Sequence, residues 1–264
     1  MIHRTPDKEL IASALAFPPL TWDRSARIQL LAYELREASM VRDEAFDQIY
    51  PIAVRRVSSL HWSPMRACVR ALKLLAPTRE TRLLDVGAGA GKFCIVAAAM
   101  GCAHVCGVER NPYLAQVARA AAIRIGVTVD IIDGTLEDEE PSSFDALYFF
   151  NPFAEAPYLP GLEMGASREE RAARAHRDVS AAEAFLERAN VGTRVVTFFG
   201  FGGTMPRSFE RVVREACAGG VLELWEKRPG KGLQRALEPL RTETFAAHAP
   251  LVALAEPNEN VSRR

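Results

Sequence analysis

The 264-residue chain balances 33 Lys and Arg against 33 Asp and Glu, with a sequence pI near 7.0, so nothing pulls it as a whole toward nucleic acid or an anionic membrane. At 48% hydrophobic and 8% aromatic residues it can bury one sizeable core plus an accessory segment. No apolar stretch approaches the roughly 18 residues of a membrane span, and the five cysteines, odd in number and set mostly in apolar runs, fit a reducing, cytoplasmic setting better than a secreted disulfide framework.

Residues 1–60 read as an N-terminal helical segment, with Ile28, Leu31 and Leu35 on one face and Pro18, Pro19 and Pro51 as punctuation. The apolar stretch Leu10 to Phe17 follows Asp7 and Glu9 with little hydrophobic sequence upstream of Ala14-Leu15-Ala16, which does not read as a signal peptide. A second helix follows Pro64, carries Cys68, Leu72 and Leu75, and ends before Pro77. Strand and helix then alternate. Arg82 to Val86 is a strand and Lys92 to Met100 a helix; His104 to Val108 is the next strand, and Asn111-Pro112 caps a helix with a continuous stripe of Leu114, Val117, Ala118, Ala121 and Ile125.

Val127 to Ile132 and Ala146 to Phe150 are apolar runs suited to a sheet covered on both faces. Ser167 with Glu170 forms a capping-box signature for a helix through about Arg188, with Val179, Ala182 and Leu186 inward. Arg194 to Phe199 is a strand, Phe209 to Ala216 reads as a helix, and Val221 to Glu226 as a sixth strand, with no seventh placed. The expectation is a doubly wound, mostly parallel α/β sheet with an N-terminal helical cap. The main domain spans 61–230, and 231–264 forms a weakly periodic C-terminal tail.

The strongest signal is Leu83-Leu84-Asp85-Val86-Gly87-Ala88-Gly89-Ala90-Gly91, which joins a strand to a helix. A nucleoside-triphosphate loop is disfavoured, because Val86 occupies its first glycine position and Phe93 replaces its magnesium-binding hydroxyl. A dinucleotide loop needs G-x-G-x-x-G, whereas this loop runs G-x-G-x-G after an ionisable Asp85 that would repel a pyrophosphate. A carboxylate there suits a cationic amino group, as on S-adenosylmethionine, which also carries a sulfonium. Glu109 closes the next strand, where a carboxylate can accept hydrogen bonds from both ribose hydroxyls. Near the adenine, either Asp133 or the backbone around Thr135 and Leu136 meets the exocyclic amine.

These motifs resemble the class I, S-adenosylmethionine-dependent methyltransferases over about residues 60 to 228. The resemblance implies that Asp85, Gly87 and Gly89 line the methionine end of the cofactor and that Glu109 holds its ribose, with Ala88, Asp133 and Asn151 also among the cofactor-binding residues. The fourth strand ends in Phe149-Phe150-Asn151-Pro152-Phe153, similar to the Asn/Asp-Pro-Pro-Tyr/Phe motif of amino-group methyltransferases but one proline short. The Gly101 to Glu109 run and the Asn151 and Phe153 positions also resemble the non-SET histone-lysine methyltransferases.

That resemblance implies N-methylation of an amine such as a protein lysine, with Asn151 positioning the nitrogen and Phe153, Tyr148 or Phe201 walling a channel. Tyr148 and Phe150 read better as sheet core. Methylation of RNA, DNA or a small molecule is an alternative, as is a methyltransferase-like protein that only binds. His61-Trp62-Ser63-Pro64 either closes over the cofactor or staples the following helix, and the insertion from Ala154 to Ser167, a loop with Pro157, Pro160, Gly161 and Gly165, shapes acceptor choice. No metal is expected, and Cys102 and Cys106 read as core.

Overall fold

In a computed structural model, seven strands form one sheet: β1 (Arg82–Val86), β2 (His104–Glu109), β3 (Asp130–Asp133), β4 (Ala146–Phe150), β5 (Arg194–Phe198), β6 (Phe209–Cys217) and β7 (Gly220–Lys227). The structure describes residues 12–13, 15–18, 22–36, 41–153 and 167–230. The strand order is β3-β2-β1-β4-β5-β7-β6, with β7 antiparallel to both its neighbours and the remaining pairs parallel. The expected doubly wound, mostly parallel sheet is present.

The pleat divides the core. Leu83 of β1 and Tyr148 of β4 face a layer built from α4 (Met65–Leu75), α5 (Lys92–Ala99) and α6 (Pro112–Ile125). Leu84, Val86, Leu147 and Phe149 face the opposite way, onto Ala182, Phe185 and Leu186 of α7 (Arg168–Arg188). Continuous apolar runs are therefore needed in the central strands, since both of their faces are covered. The chain runs outward in opposite directions from β1 and β4, and that reversal opens a crevice at their carboxyl ends.

Local signals set the helix ends. Asn111 Oδ1 accepts the amides of Tyr113 and Leu114, and Ser167 and Glu170 exchange both bonds of a capping box. The third strand starts later than expected. Gly126 adopts φ 76° and the Val127 amide bonds back to Ala122, so these residues close α6 rather than extend the sheet.

The helix expected over 209–216 is instead β6. Its Phe209, Val213 and Ala216 spacing fits a helical stripe, but a bulge between Arg211 and Val213 interrupts the strand's alternation and hides it from a period count. The turn is decisive: Ala218 and Gly219 both take positive φ, 47° and 81°, the geometry of a tight hairpin. Arg211 pairs with Glu223 across the hairpin at 3.0 Å, and charges on this edge discourage further strand addition. The hairpin supplies the seventh strand.

N-terminal helices α1 (Trp22–Arg36), α2 (Asp43–Phe46) and α3 (Ile52–His61) join the first layer, with Ile28, Leu31 and Leu35 of α1 buried as the periodicity requires. Lys92, the first residue of α5, is 2% exposed and donates to Asp43 at 2.6 Å and Asp47 at 3.0 Å. This ion cluster pins the N-terminal helices to the end of the glycine loop. Lys92→Met leaves two carboxylates without their cation, and denaturant unfolding should show a loss of about 3 kcal/mol; a change below about 1 kcal/mol would mean that water already compensates Asp43 and Asp47.

Residues 229–264 separate from the rest as a second unit, of which Pro229 and Gly230 lie among the described residues. The expected tail at 231–264 and most of the expected loop at 154–167 lie outside them. Among the described residues, no helix is long and apolar enough to cross a membrane, and no group of three or more His, Cys, Asp or Glu is arranged to hold a metal. All five cysteines are free.

Candidate active site

The loop after β1 is shaped by what it must pass. Gly87 has φ 73°, and a Cβ placed on it would lie 2.5 Å from Cβ of Pro152, so the glycine loop and the segment after β4 touch. Gly89 has φ 56°, and its absent Cβ would fall 2.9 Å from Nε1 of Trp62. The amides of Gly87 and Ala88 both donate to the Val108 carbonyl, and that of Gly91 donates to Ala88. Strand β2 thus holds the loop from one side.

Two carboxylates flank it. Glu109, 8% exposed, accepts the Gly89 amide on Oε2 and the Asn111 amide on Oε1, each at 2.8 Å. Burial raises its pKa above the ordinary range for glutamate, with those two amides opposing the shift. Asp85, 4% exposed, accepts the Cys94 thiol at 3.3 Å. Burial pushes its pKa up to about 7, with the charge of Glu109 adding to the rise. The neighbouring cations are committed elsewhere: Lys92 to Asp43 and Asp47, and Arg110 to Asp178 of α7. The loop therefore offers buried negative charge to a cationic ligand. Each Glu109 oxygen retains a lone pair for a further donor.

Asp133 is exposed at the end of β3, opposite Glu109 in the register, while Thr135 bonds to Asp138 and Leu136 is buried. Asp85, Ala88, Gly87, Gly89 and Glu109 thus come together around one loop, with Asp133 on the neighbouring strand beside Glu109.

At the end of β4, Asn151 takes φ 39°, a left-handed conformation, and its amide donates to Gly200 at 3.0 Å. Asn151, Phe153, Phe201, Gly202 and the α7 residues Ala175, His176 and Val179 line a cavity of about 290 Å³. Three of the residues expected near the acceptor, Asn151, Phe153 and Phe201, share this cavity. Tyr148 does not: its hydroxyl bonds to Ser63 at 2.7 Å and its ring stacks on Phe93 at 3.8 Å, inside the core. Phe150 packs on Phe198 and Phe199. Sequence reading missed His176. Its spacing gives a signal, one turn before Val179 on the stripe that also carries Ala182.

Residues 83–161 match the family model described as a methyltransferase domain. Over 102 residues the chain is 29% identical to a protein of Methanocaldococcus jannaschii whose name is that of a protein N5-glutamine methyltransferase, covering 39% of this chain and 49% of that one. It is 38% identical over 74 residues to a ubiquinone biosynthesis O-methyltransferase of Xylella fastidiosa, covering 27% and 30% respectively. The chain thus spans about half or less of the length of these relatives. Among solved structures, an RNA methyltransferase from Salinibacter ruber bound to S-adenosyl-L-homocysteine aligns with a TM-score of 0.46 and 21% identity, over 62% of this chain and 91% of that one.

Proposed function

We propose that this chain, whose sheet has a doubly wound order and whose residues 83–161 match a methyltransferase domain, is a class I methyltransferase that transfers a methyl group from S-adenosylmethionine to a nitrogen presented at Asn151. One observation carries the reading: two buried carboxylates, neither in a salt bridge among the described residues, flank a glycine loop whose Gly87 lies against Pro152, between the cavity-lining Asn151 and Phe153. When bound, S-adenosylmethionine supplies an electrophilic methyl group on a sulfonium. Asp85 holds the α-amino group, and Glu109 accepts the ribose hydroxyls on the lone pairs that Gly89 and Asn111 leave open. Gly87, Ala88 and Gly89 let the backbone approach closely, and Asp133 or the backbone at Thr135 and Leu136 meets the adenine.

At the acceptor end, the Asn151 side-chain carbonyl accepts an N–H of the incoming nitrogen and aims its lone pair at the methyl group. Phe153 and Phe201 exclude water from that side. A neutral amine needs orientation and desolvation more than activation, which suits a protein lysine. The N5-glutamine name of the archaeal relative favours a side-chain amide as the second reading.

The test is to incubate the purified protein with methyl-labelled S-adenosylmethionine and a fractionated cell extract. Label recovered from acid-hydrolysed protein as methyl-lysine supports the leading acceptor, whereas label released as methylamine assigns a glutamine amide. Label in nucleic acid or a metabolite replaces the acceptor and keeps the cofactor. Failure to bind S-adenosylhomocysteine in calorimetry overturns the enzyme reading and leaves a protein of this fold with another ligand.

A further inference from the structure

Resting on that cofactor reading, we infer that the indole N–H of Trp62 donates a hydrogen bond to the methionine carboxylate of S-adenosylmethionine. Trp62 lies between α3 and α4 and is 5% exposed, yet its Nε1 is buried with no hydrogen-bond partner among the described residues. Stapling the start of α4 accounts for burying the ring; it does not account for burying an unpaired donor. The indole edge rests on Gly89, where Nε1 is 2.9 Å from the place a Cβ would occupy.

The position is held from both sides. The Trp62 amide donates to Ser58 at the end of α3, and the next residue, Ser63, is bonded to Tyr148 in the core of β4. The donor is thus fixed relative to the loop before any ligand arrives.

The chemistry of the loop selects the cofactor group it meets. Asp85 and Glu109 suit the amino group and the ribose but repel a carboxylate. The loop's own donors are largely spent, with the amides of Gly87 and Ala88 on Val108, Gly89 on Glu109 and Gly91 on Ala88. Lys92, the nearest basic residue in sequence, is already neutralised by Asp43 and Asp47. Tyr50 also has a buried hydroxyl without a partner, but the negative charges of Asp47 and Asp85 act on it and would oppose a carboxylate. Trp62 instead offers a neutral donor in contact with Gly89.

Calorimetry on the full chain tests this with two ligands, S-adenosylhomocysteine and its decarboxylated analogue S-adenosyl-3-thiopropylamine. The native protein should prefer the carboxylate-bearing ligand by about tenfold or more, the worth of a hydrogen bond to a charged acceptor. Trp62→Phe keeps the apolar ring and should bring that preference below about threefold. A preference that survives in the variant overturns the assignment, even if both affinities fall together, because a general loss of packing weakens the two ligands alike. If the native protein binds neither ligand, the cofactor reading itself fails; if it binds both and shows no preference, only the Trp62 contact fails.

Discussion

Asp85→Asn should stabilise the ligand-free protein by about 2 to 4 kcal/mol at pH 8 while weakening S-adenosylhomocysteine binding by about 100-fold. The gain follows from proton linkage. In the fold the Asp85 carboxyl is pushed up to about 7, against about 3.9 for an unfolded aspartate. Between those values the folded state holds more protons than the unfolded one, so this residue makes stability fall as the pH rises from about 4 to about 7 and leaves it lowered above that range. Asparagine carries no charge to desolvate and removes the penalty.

The accompanying loss of affinity has the opposite origin, since the buried negative charge disfavours the empty fold but suits an ammonium. Binding by the native protein should therefore weaken by up to about tenfold per unit as the pH falls below about 7, and the asparagine variant should lack this component. Urea unfolding at pH 8 and calorimetry from pH 5.5 to 8 check the two halves. A variant that binds as well as the native protein would remove Asp85 from the cofactor site.

At the other end of the crevice, Asn151→Gly should lower methyl transfer by about 100- to 1,000-fold with cofactor affinity changed less than twofold. Glycine is the informative replacement because φ at this position is 39°. It accepts the left-handed backbone without strain, whereas alanine would combine loss of the amide with a steric penalty of about 1 kcal/mol or more. Equal inactivity of Asn151→Gly and Asn151→Ala, with the alanine variant melting lower, would separate positioning of the acceptor from support of the fold. Retained turnover in the glycine variant would show that the acceptor nitrogen is held elsewhere.

Much of the central sheet was legible because its signals are local. Ala146 to Phe150 is an unbroken apolar run, Leu83 to Val86 is one interrupted by Asp85 alone, and Asn111 and Ser167 announce their helices by their own side chains. The hairpin of β6 and β7 was only half legible, since the bulge near Arg211 shifts the alternation and leaves spacings that also fit a helix. The glycine loop and Glu109 could be paired from sequence because consecutive parallel strands bring their carboxyl ends together. His176 left a partial trace in the helical stripe it shares with Val179 and Ala182, and Trp62 as part of a segment placed to close over the cofactor, but the cavity and the Gly89 contact they make, like the Lys92 ion cluster, join distant parts of the chain and are set by how helices dock on the sheet.

The contact between Gly87 and Pro152 makes the two halves of the site mutational partners. Replacing Pro152, which lies between the cavity-lining Asn151 and Phe153, also removes the surface against which the glycine loop is seated, so a change made beside the cavity is felt at the loop. The order of substitutions then matters. A side chain at position 87 meets Cβ of Pro152 first, and since every residue but glycine keeps that atom, glycine at 152 is the permissive step that must precede it, although the positive φ at 87 continues to favour glycine there. Libraries aimed at new acceptors would do better to hold positions 87 and 152 fixed and vary His176 and Val179, which line the proposed acceptor cavity from α7.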